Sequence, residues 1–192
     1  MRLFVAVEIG SEVQAAASRV IHDLIRRTEQ SAPHARVTWV RTENLHLTVR
    51  FIGQVNLTDS EKMVKAFERP LRTALFDLTI EGTGTFPPKR PPRVIWAGIA
   101  GGLDALHAVE QEVRARLKAV ATAADDRDYH PHLTLGRVKD ATGLRPAVLL
   151  KGFEHAVFGV LRVGAVTLFE SRLSPKGPTY IALRRTPLAH SS

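Results

Sequence analysis

Two short runs of this chain carry the same pair of chemically useful side chains. His46-Leu47-Thr48-Val49 and His132-Leu133-Thr134-Leu135 each alternate polar and apolar residues. In a strand, residues i and i+2 share a face. His46 and Thr48 therefore point one way while Leu47 and Val49 point to a core, and His132 and Thr134 repeat the arrangement. Imidazole titrates near neutrality, with an unperturbed pKa of about 6.5. One neutral ring can take a proton while a second, protonated ring gives one, each role being worth ~10²–10⁴ in rate. A threonine two residues on adds a hydroxyl donor for a phosphate oxygen. Two histidines and two threonines thus supply acid, base and oxyanion donors without a metal, a set suited to phosphoryl transfer with an internal leaving group. A single His-x-Thr is commonplace on a solvated strand; the signal lies in two copies with apolar partners at matching positions.

The other histidines read as surface or supporting groups. His22 and His107 fall on helices, His34, His155 and His190 in loops or the tail, and His130 lies two residues before His132 across Pro131. No His-Glu-x-x-His occurs, so the sequence predicts no metal site. Asp125-Asp126-Arg127-Asp128 reads as a solvated turn, and Gly101-Gly102 as a turn ahead of a helix.

The elements that must position these groups follow from periodicity. Residues 2–8 form a first strand, and Ser11-Glu12-Val13-Gln14 resembles a capping box opening a helix with Val13, Ala16, Ala17, Val20, Ile21 and Leu24 on one face. Arg36–Val40 and Leu45–Ile52 read as strands, the second carrying the first His-x-Thr. Thr58-Asp59-Ser60-Glu61 opens a second helix, reaching about Glu68 before Pro70. Leu75–Glu81 and Val94–Ile99 are strands flanking Gly82–Arg93, a proline-rich stretch read as an exposed basic loop. Leu103, Leu106, Val109, Val113, Leu117 and Val120 mark a third helix. The second His-x-Thr strand lies near 131–138, and strands over 157–170 and 179–185 close the chain. This is an α+β unit, and the neighbourhoods of the two His-x-Thr runs hint at internal duplication.

The 192 residues suit one domain or two small lobes, with 44% hydrophobic and 24% charged side chains. The absence of cysteine excludes disulfides and thiolate catalysis. No apolar stretch approaches the roughly 20 residues of a membrane helix, and the N-terminal run Leu3-Phe4-Val5-Ala6-Val7 is interrupted by a charge, at Glu8, too early to be a secretory h-region. A cytoplasmic location is the expectation. With 27 Lys plus Arg against 19 Asp plus Glu, the formal charge is +8, a balance that favours polyanionic partners.

At the level of longer motifs the chain resembles the 2H phosphoesterase superfamily, and within it the RNA 2′,3′-cyclic phosphodiesterases, historically called 2′-5′ RNA ligases. The resemblance runs through residues 2–7, Trp39-Val40, Asn44 to Gly53, residues 94–98, Tyr129 to Arg137 and Glu170 to Tyr180. It implies a single bilobal domain over 1–192, with two antiparallel sheets facing a central cleft and helices outside. It implies that His46 and His132 form the catalytic pair, that Thr48 and Thr134 hold the phosphate, and that Arg137 neutralises it. It implies no cofactor, an RNA or nucleotide bearing a 2′,3′-cyclic phosphate as partner, no membrane and no obligate protein partner. Strict alternation puts Arg137 opposite His132, unless a bulge or strand exit at Gly136 turns it inward. Arg50 shares His46's face by the same count, as an auxiliary charge at most. Tyr129 and Phe86 read as core or loop packing, with base stacking the alternative. The function implied is metal-independent opening of a terminal cyclic phosphate to a 2′-phosphomonoester. Other readings are 2′-5′ ligation of tRNA halves, hydrolysis of 2′-5′ linkages, and a non-catalytic RNA-binding module.

Overall fold

Alternation in β1 (Arg2–Glu8) separates two apolar groups. Leu3, Val5 and Val7 join the main core, while Phe4 and Ala6 join a smaller cluster with Phe169. In the computed structural model, which describes residues 1–88, 91–120, 128–175 and 177–189, this two-sidedness organises the molecule. The main core lies between a large sheet and two amphipathic helices, α1 (Ser11–Ser31) and α3 (Leu103–Lys118). The smaller cluster lies on the sheet's other face.

The remaining strands are β2 (Arg36–Trp39), β3 (His46–Gln54), β4 (Leu71–Ala74), β5 (Phe76–Phe86), β6 (Val94–Gly101), β7 (Leu133–Asp140), β8 (Val157–Val163), β9 (Ala165–Ser174) and β10 (Gly177–Ala189). Hydrogen bonds link them in the order β4-β10-β9-β1-β3-β7-β6-β5-β8, with β2 also paired to β7. All pairings are antiparallel except β4 with β10. The fold is α+β with one large mixed sheet. Its narrowest join is between β3 and β7, where Leu47 opposite Leu133 is the pairing that connects the two halves.

About that join the order is mirrored, β1 and β6 standing next to the central strands, then β9 and β5. Chain order repeats too, since β1 leads through α1 to β3 and β6 leads through α3 to β7. The hinted duplication is therefore visible in topology. Each helix packs across the join: α1 lies on β7 and β8, and α3 on β3 and β4.

Several boundaries differ from those the sequence suggests. The Gly82–Arg93 loop is shorter than expected, because β5 runs on to Phe86 and pairs with β6 from Thr83 opposite Ala97 to Phe86 opposite Val94. The prolines begin only at Pro87, so the N–H groups before it remain free for the ladder. The segment 157–170 divides at Gly164 into an edge strand, β8, and an inner strand, β9. Neither capping box forms as read: α1 starts after Gly10, and α2 (Leu57–Ala66) is capped by the Asn56 side chain accepting from Asp59 N–H at 2.8 Å. The one-turn α4 (Pro146–Leu149) is an addition to the elements that periodicity suggests. Lys89 and Arg90 of the basic loop, Asp125, Asp126 and Arg127 of the acidic turn, Lys176 and His190 lie outside the described residues.

Candidate active site

The two His-x-Thr runs meet at the join between the halves. Leu47 and Leu133 are fully buried on the helix side, so the residues flanking them project from the opposite face. The antiparallel register of that pair runs His46 towards Thr134 and Thr48 towards His132. Each histidine thus lies diagonally across a local two-fold from the other, and each faces the other strand's threonine. All four side chains are partly exposed.

The two imidazoles are held in the same way. His46 Nδ1 lies 2.8 Å from the Asn44 carbonyl oxygen, and His132 Nδ1 lies 2.7 Å from that of His130. A carbonyl only accepts, so Nδ1 carries the hydrogen and donates in both cases. Each Nε2 is left as the atom that gains or loses a proton. The His46 clamp is itself fixed, because Asn44 Nδ2 donates to the Pro178 carbonyl of β10 at 3.1 Å.

Both histidines have pKa values lowered from the ordinary 6.5. Burial is the main cause, since desolvation disfavours the imidazolium. The Nδ1 hydrogen bonds oppose it, and the Arg137 guanidinium adds to it at both rings. His46 also feels His132, and His132 feels His130.

Around His46 the ring of Phe4 lies 4.9 Å away, and Tyr180 packs edge-on at 5.0 Å. Phe86 sits edge-on to His132 at 5.2 Å. Burial pushes the Tyr180 hydroxyl pKa up, against the pull of Arg137 and Arg2. Arg137 thus acts electrostatically on both histidines and on Tyr180.

Its placement depends on a bulge. Ile95 pairs with Gly136 but the next residue, Trp96, pairs with Thr134, so β7 carries one extra residue there. Leu135 and Gly136 are both buried in succession, and the alternation resumes with the opposite parity. Arg137 consequently turns to the histidine face, as a bulge at Gly136 would require.

A matching bulge in β3 has the reverse consequence for Arg50. Val5 pairs with Arg50 and Ala6 with Thr48, leaving Val49 as the extra residue. The expectation that Arg50 shares His46's face is corrected: it points to the helices, 5% exposed, with Nη1 2.8 Å from Glu110 Oε1 of α3. The same bulge brings Phe51 to the histidine face, where its ring lies 6.2 Å from Phe4.

Tyr129 packs against the main core, edge-on to His107 at 5.6 Å, so its role is packing. Phe86 and His130 border the site, their rings 6.4 Å apart. Among the described residues, no three or more His, Cys, Asp or Glu side chains group as metal ligands would, and no helix is long and apolar enough to cross a membrane. Sequence reasoning passed over Asn44, Phe4 and Phe51. Asn44 and Phe4 carried no signal beyond their neighbourhoods, whereas Phe51 had one: it follows His46 at the interval by which Arg137 follows His132.

Comparison with known proteins gives a consistent assignment. The model of the 2′-5′ RNA ligase superfamily matches residues 12–174. A protein of Aeropyrum pernix named RNA 2′,3′-cyclic phosphodiesterase is 32% identical over 170 residues, spanning 87% of this chain and 96% of its own. A protein of Thermotoga maritima with the same name is also 32% identical, over 95% of this chain and 93% of its own. The crystal structure of a Thermus thermophilus protein superposes with a TM-score of 0.73 at 27% identity, each chain covered in full.

Proposed function

The chain belongs to the 2′-5′ RNA ligase superfamily, and from that premise we propose that it hydrolyses RNA-terminal or nucleoside 2′,3′-cyclic phosphates to 2′-phosphomonoesters by two-histidine acid–base catalysis. The observation that carries this reading is the diagonal pair of histidines, each with Nδ1 committed to a carbonyl and Nε2 available. The names of the two relatives supply the substrate class.

In this mechanism His132 Nε2 takes the proton of a water molecule whose oxygen bonds to phosphorus. The bond from phosphorus to the 3′-oxygen breaks, and His46 Nε2 donates its proton to that oxygen. The 2′-oxygen keeps the phosphate. Thr48 and Thr134 donate to the non-bridging oxygens, and Arg137 offsets their charge. The ring strain of a cyclic diester and a positioned acid and base remove the need for a metal. We read residues 1–192 as one bilobal unit whose halves, joined at Leu47 and Leu133, form the two walls of the substrate cleft.

Purified protein incubated with a 2′,3′-cyclic nucleotide in EDTA tests the proposal directly. The expected product is the 2′-monophosphate, identified by phosphorus NMR, at a rate unchanged by the chelator. His46→Ala and His132→Ala should each lower turnover by at least ~10²-fold. Loss of activity in EDTA that a divalent ion restores would sink the metal-independent mechanism. Normal turnover in either variant would remove that histidine from the pair.

A further inference from the structure

A two-fold site built from two similar units invites comparison of the side chains at equivalent places, and one pair on the site face differs in kind. The bulges of β3 and β7 both follow the threonine directly. Each brings the fifth residue after the histidine to the site face: Arg137 on β7 and Phe51 on β3. One half therefore offers a cation where the other offers an aromatic ring. Resting on the catalytic reading above, we propose that Phe51 is the stacking platform for the terminal nucleobase, so that the substrate lies base-first over the β3 half with its phosphate turned towards Arg137.

The surroundings of Phe51 fit that use. It is 39% exposed, while Phe4 and Phe169 beneath it are buried at 3% and 9%. Phe4 stacks on Phe169 with centroids 5.3 Å apart, so the exposed ring stands on a stiff aromatic floor. That floor also supports His46, which places a base on Phe51 within one nucleotide of the reacting phosphate. A lone exposed apolar side chain is ordinary on a protein surface; this one lies on the catalytic face, where water must be displaced for binding. Stacking uses the π-face that every base has, so the platform predicts tolerance of base identity. Phe86, the aromatic residue nearest His132, instead packs against Trp96 at 5.2 Å and supports its own histidine.

The test compares equilibrium binding of adenosine 2′-monophosphate with that of ribose 2-phosphate, which lacks the base, by titration calorimetry. The wild-type protein should favour the base-bearing ligand. In Phe51→Leu that preference should fall about tenfold, the size expected for loss of one stack, and Phe51→Tyr should retain it. A preference unchanged in Phe51→Leu, a wild-type preference near one, or a fall seen in Phe86→Leu alone would overturn the assignment. Cyclic-phosphate turnover is assayed separately. A wild-type protein that does not open a 2′,3′-cyclic nucleotide defeats the catalytic reading, while the titration still decides Phe51.

Discussion

The shared face of His46, Thr48, His132 and Thr134 was legible because all four lie before any irregularity in their strands, where a period of two holds. Arg137, Arg50 and Phe51 lie after it, and for them simple alternation gives the wrong face. Glycine at position 136 hinted at the bulge in β7. Nothing comparable marks Val49 in β3, where the bulge is set by pairing with β1. Arg50, turned inward by it, is charged and buried, and Glu110 is the partner that makes this tolerable. At the site itself, lowered pKa values at both histidines fix the sense of the pH response. Acid–base catalysis needs one ring protonated and one neutral, so kcat/KM should be bell-shaped with its maximum on the acid side of pH 6.5. Arg137 depresses both rings by repelling the imidazolium; replacing it with leucine removes that repulsion and raises both pKa values. Arg137→Leu should thus lower kcat/KM through the lost phosphate contact while moving the whole bell to higher pH. A profile left in place would show that Arg137 does not act on the histidines, and one displaced to lower pH would reverse the sign of its effect.

Among the elements, β7 depends on a particular residue outside the proposed catalytic set. A Cβ at Gly136 would lie 2.8 Å from Cε3 of Trp39 and 3.1 Å from Cγ1 of Val37, both on the neighbouring β2. The ring of Trp39 is rigid, so a side chain at 136 must push either β2 or the bulge out of place. The bulge aims Arg137, and a displacement of about 1 Å in a positioning group is enough to cost ~10² in rate. Gly136→Val should reduce kcat/KM by about that factor, more than a general loss of stability would explain at temperatures where the variant remains folded. Adding Trp39→Leu makes room for the new side chain and should recover part of the loss. Steady-state kinetics on the single and double variants, beside Trp39→Leu alone, would settle this. A double variant no faster than Gly136→Val would show that crowding against Trp39 is not the cause.

The whole molecule poses the question of how two halves joined edge to edge at one residue pair stay in register. The ladder contributes little there, and the answer lies in the crossed helices. α1 leaves the β3 half and packs on β7, β8 and α4, where Val13 approaches Gly159 of β8 and Arg27 donates to the Leu149 carbonyl of α4 at 3.1 Å. α3 leaves the β7 half and packs on β3 and β4, held by the Arg50–Glu110 pair and by Glu112 accepting from Arg72 N–H at 2.9 Å. Periodicity showed both helices in the sequence, and their buried faces, but not this exchange, because an apolar stripe does not say which half of a sheet it covers. Each half therefore lends its helix to the core of the other, and neither can lose its packing alone. Denaturant unfolding should be a single transition. The two tryptophans provide the means of checking, since Trp39 and Trp96 both belong to the β7 half through β2 and β6. Their fluorescence reports that half, whereas far-UV circular dichroism reports both. Coincident midpoints and slopes from the two probes are expected. A fluorescence transition separated from the dichroism transition would mean that the halves unfold independently, and that the diagonal geometry of His46 and His132 is held by the Leu47–Leu133 join rather than by the exchanged helices.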